Sequence, residues 1–373
     1  MTAVTTTMSV QTRGGDLLDA LAPLRPVLST AKHAPAPLRS VLLSVEIDGA
    51  TSLSCSTGEV SMQVSLPTSQ TSTAAGQAWI DHTALRKAAT ALAARRGAGA
   101  QVDLSLTVTA DGARLSDGTR VMYIDVLDDV HLPPTMAPAA VTWVSDRAEL
   151  AERVAAVASA AATPDCNVPI ITAMRLATDG VVATDKYRLT KASLPGTGDL
   201  EPAQPPAHVF AKVIKTLAGD TVSLGVDADR LTISTDTVTA TLRGLQGDYP
   251  RGVTSIGEFD DATTVRVDRT GLLDLIKPHQ NVRAAKVTLA TAGQTIDVTV
   301  DDGGRALVTA QVPACTPPEK IEPVTLNAAY LADALRAVGG AEVSIHVQST
   351  LRPVKVAGDG DITAVVQPIR VAK

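Results

Sequence analysis

"PAHVFAKVIKTLAGDTVSLGVDADRLTISTD", Pro206–Asp236, holds three elements in one short stretch. Val209, Val213, Ile214 and Leu217 fall on one face of a helical period, and Gly219 stops the helix. Val222, Leu224 and Val226 then alternate with polar residues, and after a turn Leu231 and Ile233 alternate again. The stretch predicts a helix followed by a β-hairpin. The same layout occurs in "DHTALRKAATALAARRGAGAQVDLSLTVTADGARLSDG" from Asp81 and in "NAAYLADALRAVGGAEVSIHVQSTLRPVKVAGDG" from Asn327. The copies recur about every 120 residues, a domain-sized period rather than that of a solenoid.

Each copy is preceded by another candidate helix: "GDLLDALAPL" from Gly15, "DRAELAERVAAVAS" from Asp146 and "DRTGLLDLIKPH" from Asp268. The middle one carries Asp146 and Glu149 at capping-box spacing. Segments such as "RSVLLSVEIDGATSLSC" and "AAKVTLATAGQTIDVTV" alternate as strands do. The unit is helix, strands, helix, strands, three times over. Proline-bearing joints, "LDDVHLPPTMAPAAV" and "LQGDYPRGVTSIGEF", predict three domains, 1–136, 137–256 and 257–373.

Composition narrows the function classes. The 373 residues suffice for two or three domains, with 45% hydrophobic and only 2% aromatic residues, so the cores are built from Val, Leu, Ile and Ala. No apolar run approaches a membrane span, and the N-terminus lacks the layout of a signal peptide. Cys55, Cys166 and Cys315 are far apart and odd in number, which predicts reduced, mostly buried thiols of a cytoplasmic protein. The net charge of −6 argues against groove binding driven by phosphate neutralisation alone.

No catalytic constellation emerges. The six histidines are scattered singly, without zinc-ligand spacing, and neither a nucleophile elbow nor a phosphate-binding loop is present. No metal or cofactor is expected. "RRGAGA" at Arg95–Ala100 reads as a helix end, Asp301 and Asp302 as a hairpin turn, and Asp185 beside Arg188 as a structural ion pair. Basic residues do recur on or beside the repeated helices: Arg86, Lys87, Arg147, Arg153, Lys212, Lys215, Lys277 and Arg336. Singly, each reads as part of a solvated helix face. As a threefold recurrence in an acidic chain, they suit phosphate contacts without base reading.

With these features stated, the sequence resembles the bacterial DNA polymerase III β sliding clamps, especially the actinobacterial form. "VATDKYRL" at Val182–Leu189 is similar to the family's Ala-Thr-Asp corner, and the terminal "VVQPIRVAK" is similar to the family's tail. "VPIITAMRLATDG" and "GDYPRGV" sit where comparable family segments sit, and the resemblance covers essentially the whole chain. It implies an α+β fold of three sliding-clamp domains, each with two helices packed on two antiparallel sheets, closed head to tail into a dimeric ring around duplex DNA. It further implies a non-enzymatic processivity factor that tethers the DNA polymerase III α subunit, the clamp loader and other proteins bearing a clamp-binding motif, with no membrane association.

Carried over residue by residue, the family's peptide cleft would comprise Ile171, Thr184, Lys186, Tyr187, Arg188, Leu189, Pro250, Val253, Val365, Gln367, Pro368, Ile369 and Arg370. Leu189, Val365 and Ile369 would take an apolar anchor, and Arg188 and Arg370 would hold carbonyls or acids. Lys32 falls where a family arginine reaches DNA and joins the basic set above. Met122 and Ile124 would meet a surface near Leu275 and Ile276 of a second subunit. Gln367 replaces the family's usual methionine and the chain runs on to Lys373, which suggests an accessory clamp with a retuned, inhibitor-tolerant cleft, one suited to antibiotic resistance. The rival reading is a β-rich intracellular scaffold that does not encircle DNA.

Overall fold

The computed structural model describes residues 7–29, 34–71, 75–94, 101–127, 135–250, 259, 261–282, 284–302, 305–315 and 320–370. Among them are six α-helices: α1 Gly14–Leu21, α2 His82–Ala93, α3 Arg147–Ala158, α4 Ala207–Thr216, α5 Arg269–Ile276 and α6 Ala328–Val338. Five of these begin directly at the end of a strand, so the recurring unit is a strand that turns into a helix. Side-chain caps fix three of the transitions. Asp81 accepts from the Ala84 amide at 2.9 Å, Asn327 accepts from Tyr330 at 3.1 Å, and Asp268 accepts from Gly271.

Helix α4 and the strands Thr221–Asp227 and Arg230–Ser234 bear out the helix and hairpin read from Pro206–Asp236. The buried face differs in one respect. Phe210, with Val213 and Ile214, is fully buried, whereas Val209 is only half-buried. A four-residue aliphatic face matched the helical period, but the ring of Phe210 lies closer to its centre.

The chain divides into two compact units, Met1–Arg147 with Lys212–Arg243, and Ala148–Ala211 with Gly244–Lys373. In the first, a five-stranded antiparallel sheet runs Gln70–Thr71, Met8–Arg13, Asp103–Thr109, Gly112–Ser116, Val121–Ile124. A second sheet of that unit passes from Val126–Leu127 through Gly76–Asp81, Ser40–Val45, Thr51–Ser56 and Val60–Ser65 to Val238–Arg243, Arg230–Ser234, Thr221–Asp227 and Trp143–Asp146. The pairing of Val60–Ser65 with Val238–Arg243 carries this sheet across a wide gap in sequence. The second unit repeats the device. Its seven-stranded sheet runs Arg175–Ala177, Gly180–Thr184, Arg188–Ala192, Thr363–Val366, Val354–Ala357, Glu342–Val347, Thr263–Asp268. A four-stranded sheet, Ala306–Pro313, Thr295–Asp301, Lys286–Ala292, Val324–Asn327, completes it. Asp301 and Asp302 do stand at a hairpin, where the Arg305 amide donates to Asp302 at 2.9 Å.

The cores are aliphatic, as composition requires, with Phe210 the largest fully buried side chain among the described residues. Of the three thiols expected to be mostly buried, Cys55 is buried, Cys166 half-buried and Cys315 exposed. Burial pushes the Cys55 thiol up to about 12. Among the described residues, no helix is long and apolar enough to cross a membrane, and no cluster of His, Cys, Asp or Glu could hold a metal ion.

Two outcomes follow from this packing. Gly225 lies where an added Cβ would stand 2.1 Å from the Ala140 carbonyl oxygen and 3.2 Å from the Val141 Cα. Gly225→Ala is therefore expected to lower the denaturation midpoint, by about 1–3 kcal/mol of stability. His82 is buried and its Nε2–H donates to the Leu21 carbonyl at 3.0 Å; burial lowers its pKa, outweighing the opposing pull of that hydrogen bond. Its contribution is complete above about pH 6.5, where the unfolded histidine is neutral, and is lost as pH falls through the lower folded value. Urea titrations between about pH 7 and 5 should show stability declining, with a smaller slope in His82→Gln.

Candidate functional site

The strands Gly180–Thr184 and Arg188–Ala192 pair in register Thr184↔Leu189, which leaves Asp185, Lys186 and Tyr187 as the corner between them. The Thr184 hydroxyl donates to the Arg188 carbonyl at 2.6 Å and accepts from the Lys186 amide at 3.0 Å. One carboxylate oxygen of Asp185 accepts from the amides of Tyr187 at 2.9 Å and Arg188 at 3.0 Å. Thr184 and Asp185 therefore satisfy backbone groups that a short corner would otherwise leave unpaired. Lys186 sits at φ +79°, a left-handed conformation that costs an L-residue with a Cβ about 1–2 kcal/mol relative to the right-handed region.

Arg188 is engaged on three sides. Its Nε donates to Asp185 at 3.0 Å, its Nη1 to Asp333 at 2.6 Å, and its guanidinium lies 4.4 Å from the centre of the Tyr330 ring. Asp333 and Tyr330 stand one turn apart on α6, and Arg336 joins the same Asp333 carboxylate at 2.9 Å. Burial, followed by the negative charge of Asp185, raises the Tyr330 phenol above its ordinary value, so the ring over the guanidinium stays neutral. The sequence expectation of a structural ion pair at Asp185 and Arg188 matches this geometry. With two carboxylates and a ring already in place, Arg188 acts as the post of the corner.

The chain's last strand completes the site. Thr363–Val366 pairs antiparallel with Arg188–Ala192, in register Arg188↔Val366 and Leu189↔Val365. Leu189 and Val365 are half-buried neighbours, and with Tyr330, Ala334 and Ala364 they line a narrow depression. Beyond the strand, the Gln367 amide donates to the Tyr187 carbonyl at 2.8 Å, and its side-chain Nε2 donates to the Leu351 carbonyl at 3.2 Å. Pro368 is buried, the half-buried Ile369 donates from its amide to Thr325 at 2.8 Å, and Arg370 is exposed. Ile171 is buried in the short turn Pro169–Thr172. The Tyr249 hydroxyl lies 3.3 Å from the Ala173 carbonyl and 3.4 Å from that of Val182, tying the half-buried Pro250 segment to the same strands. Val253 lies outside the described residues.

Three residues of this site were not singled out from sequence: Tyr330, Asp333 and Leu351. The i, i+3 spacing of Tyr330 and Asp333 on a predicted helix was a readable signal. Leu351 offered none, since it meets the tail through the Gln367 side chain, far along the sequence.

The predicted DNA-facing residues fall into two groups. Arg86, Lys87, Lys212, Lys215 and Lys277 are exposed and make no ion pair among the described residues. Arg147 donates to the Gly219 carbonyl, Arg153 is held between Glu149 at 2.8 Å and Asp361 at 3.3 Å, and Arg336 pairs with Asp333 and Gln280. Lys32 and the Arg95–Ala100 stretch lie outside the described residues. Of the predicted subunit-contact residues, Ile124 and Ile276 are buried in their own chain, while Met122 and Leu275 are half-buried. Alternation instead turns Val121 and Tyr123 outward, 49% and 79% exposed, on the last strand of the five-stranded sheet.

Neither a protein-family model nor a curated protein sequence matches the chain. Solved structures do. The DNA polymerase III β subunit of Thermotoga maritima superposes with a TM-score of 0.83 at 18% identity, over 98% of this chain and 100% of that one. The β sliding clamp of Caulobacter crescentus gives 0.83 at 19% identity, over 98% and 99%. The sliding clamp of Bacillus subtilis gives 0.82 at 17%, over 98% and 100%. The chain has the sliding-clamp fold. That fold supplies the ladder which joins the Val182–Leu189 corner to the terminal strand, and the clamp-like corner is here centred on Arg188.

Removing that centre should be costly. In Arg188→Ala, Asp185 and Asp333 lose their shared cation while partly buried, and stability is expected to drop by about 2 kcal/mol. Arg188→Lys should recover little of this, because an ammonium cannot bridge both carboxylates as the planar guanidinium does. Chemical denaturation of both variants checks the pair; full rescue by lysine would show that charge alone suffices.

Proposed function

We propose that this protein is a DNA sliding clamp: a cytoplasmic, non-enzymatic processivity factor whose dimeric ring encircles duplex DNA and tethers a replicative polymerase. The observation that carries the reading is the match of fold over 98% of the chain at only 18% identity, combined with a corner strand that pairs with the terminal strand. A ring holds DNA by enclosure, so weak phosphate contacts suffice, and a net charge of −6 is compatible with the role. Exposed helix residues Arg86, Lys87, Lys212, Lys215 and Lys277 would supply such contacts. Three domains, 1–136, 137–256 and 257–373, remain the proposed division, six in the ring. The depression around Leu189 and Val365 would take the linear motif of a polymerase α subunit, a clamp loader or another partner. Tethering raises the partner's effective concentration at its template.

The ring requires two open sheet edges. Among the described residues, Val121–Ile124 and Ala306–Pro313 each hydrogen-bond to a neighbour on one side only, and the former exposes Val121 and Tyr123. Joining one to the other across two copies would bury both, and it supports head-to-tail closure. With Gln367 in the tail, we also propose an accessory clamp whose cleft tolerates peptide-like inhibitors of the usual one.

Sedimentation gives the direct test. A species of about twice 38.4 kDa is expected, and Tyr123→Glu should shift it towards monomer. After loading by a clamp loader, the protein should stay on circular DNA and be lost from linear DNA. A monomer released equally from both would favour the scaffold reading instead.

A further inference from the structure

Each of the three copies closes the end of its second helix with an arginine, and the first does so from a different element. In the second copy, Arg147 opens α3 and its Nε donates to the Gly219 carbonyl just beyond α4. In the third, Arg269 opens α5, and its Nε donates to the Gly340 carbonyl and its Nη1 to that of Leu335 in α6. The corresponding residue of the first copy is Gly14, which opens α1. Its amide donates to the Val102 carbonyl at 2.8 Å, as the amides of Arg147 and Arg269 donate to Asp220 and Ala341. An added Cβ on Gly14 would stand 2.9 Å from that of Ala93, too close for a larger residue. The guanidinium comes instead from Arg120, whose Nη1 donates to the Ala91 carbonyl at 3.2 Å and whose Nη2 donates to that of Leu92 at 2.9 Å. These carbonyls lie in the last turn of α2, where a helix cannot pair them itself. Asp117 holds the guanidinium in place, accepting on one oxygen from Nε at 2.9 Å and Nη2 at 2.7 Å. Its other oxygen accepts from the Thr119 amide at 3.0 Å and the Arg120 amide at 2.7 Å. The Arg120 amide, then its guanidinium, draw the Asp117 carboxyl down to about 2, so it is ionised at neutral pH.

Arg120 is also the residue immediately before the strand Val121–Ile124, which among the described residues is hydrogen-bonded on one side only. We propose that Arg120 is a positioning residue for subunit closure: by pinning the start of this edge strand to the end of α2, it presents the edge in order to a second copy. The inference rests on the ring reading above and adds the group that prepares one of its edges. An edge strand held on one side only opens easily, and ordering it at the moment of association subtracts from affinity. A brace within the chain removes that cost beforehand, so the effect of Arg120 passes through the strand and needs no contact with the second copy.

Sedimentation equilibrium over a dilution series tests this on the full chain, comparing Arg120→Ala with Arg147→Ala, which removes the equivalent cap from the second copy. Arg120→Ala should raise the dimer dissociation constant about tenfold, the scale of one or two lost charge-assisted hydrogen bonds, whereas Arg147→Ala should lower the thermal midpoint and leave that constant unchanged. Arg120→Lys should recover little, because an ammonium cannot span both helix carbonyls and Asp117. Asp117→Asn, a milder change, should weaken the dimer in smaller measure, with thermal melts confirming folded protein. In samples diluted to monomer, hydrogen exchange over Val121–Leu127 should be faster in Arg120→Ala than in the unaltered protein. Equal dissociation constants for the Arg120→Ala and Arg147→Ala variants, or unchanged exchange, overturns the proposal while leaving the ring reading intact. A weakened dimer with unchanged monomer exchange would place the guanidinium on the second copy and also overturn it. An unaltered protein that stays monomeric throughout the series overturns the ring reading itself, and the proposal with it.

Discussion

The backbone ladder between Arg188–Ala192 and Thr363–Val366 is the constraint on which the rest of the candidate site depends. Its partners are far apart in sequence, so the chain must close a long loop before the first of these bonds forms, an entropic cost repaid only when the surrounding sheet assembles. Once formed, the ladder fixes everything near it. The register sets Leu189 beside Val365 and sends the next residue, Gln367, onto the Tyr187 carbonyl. A slip by one residue would turn Leu189 and Val365 to the other face and dissolve the depression. The site is thus a property of the folded second unit and has no counterpart in any local segment.

Arg188 shows how such a site is kept rigid. A guanidinium with two carboxylates and an aromatic face has little freedom left, and its planar fork matches that set of partners. The outcome separates two functions that sequence reasoning had assigned together. Within the chain, charge is used to hold the corner against α6. At the surface, Lys186, Arg352 and Arg370 are exposed and make no ion pair among the described residues. Thr184 and Asp185 follow the same pattern: the Thr184 oxygen and one Asp185 oxygen accept from the corner's own amides, and the other Asp185 oxygen accepts from Arg188.

Local periodicity was legible because it needs only neighbours along the chain. The helix and hairpin of Pro206–Asp236, and their recurrence, could be read from spacing alone. Errors arose where tertiary context decides. Val209 fits the helical period as well as Phe210 does, yet packing buries the larger ring. On the strand Val121–Ile124, likewise, packing within the chain buries Ile124 and leaves Val121 and Tyr123 outside. The thiols were expected to be mostly buried, and Cys315 lies exposed just after a strand. Tyr330, Asp333 and Leu351 joined the site only through long-range contacts, with Arg188 and Gln367, that no window of sequence contains.

A fold shared at 16–20% identity with solved sliding clamps indicates what the architecture requires and what it leaves open. Aliphatic cores tolerate exchange among Val, Leu and Ile when volume and pattern are kept, so most core positions can change while the backbone persists. The demands on the corner are stricter: a hydroxyl and a carboxylate to close the turn, and a forked cation to bridge it to α6. Those features hold the corner together, and the Gln367 bonds to Tyr187 and Leu351 tie the tail to it.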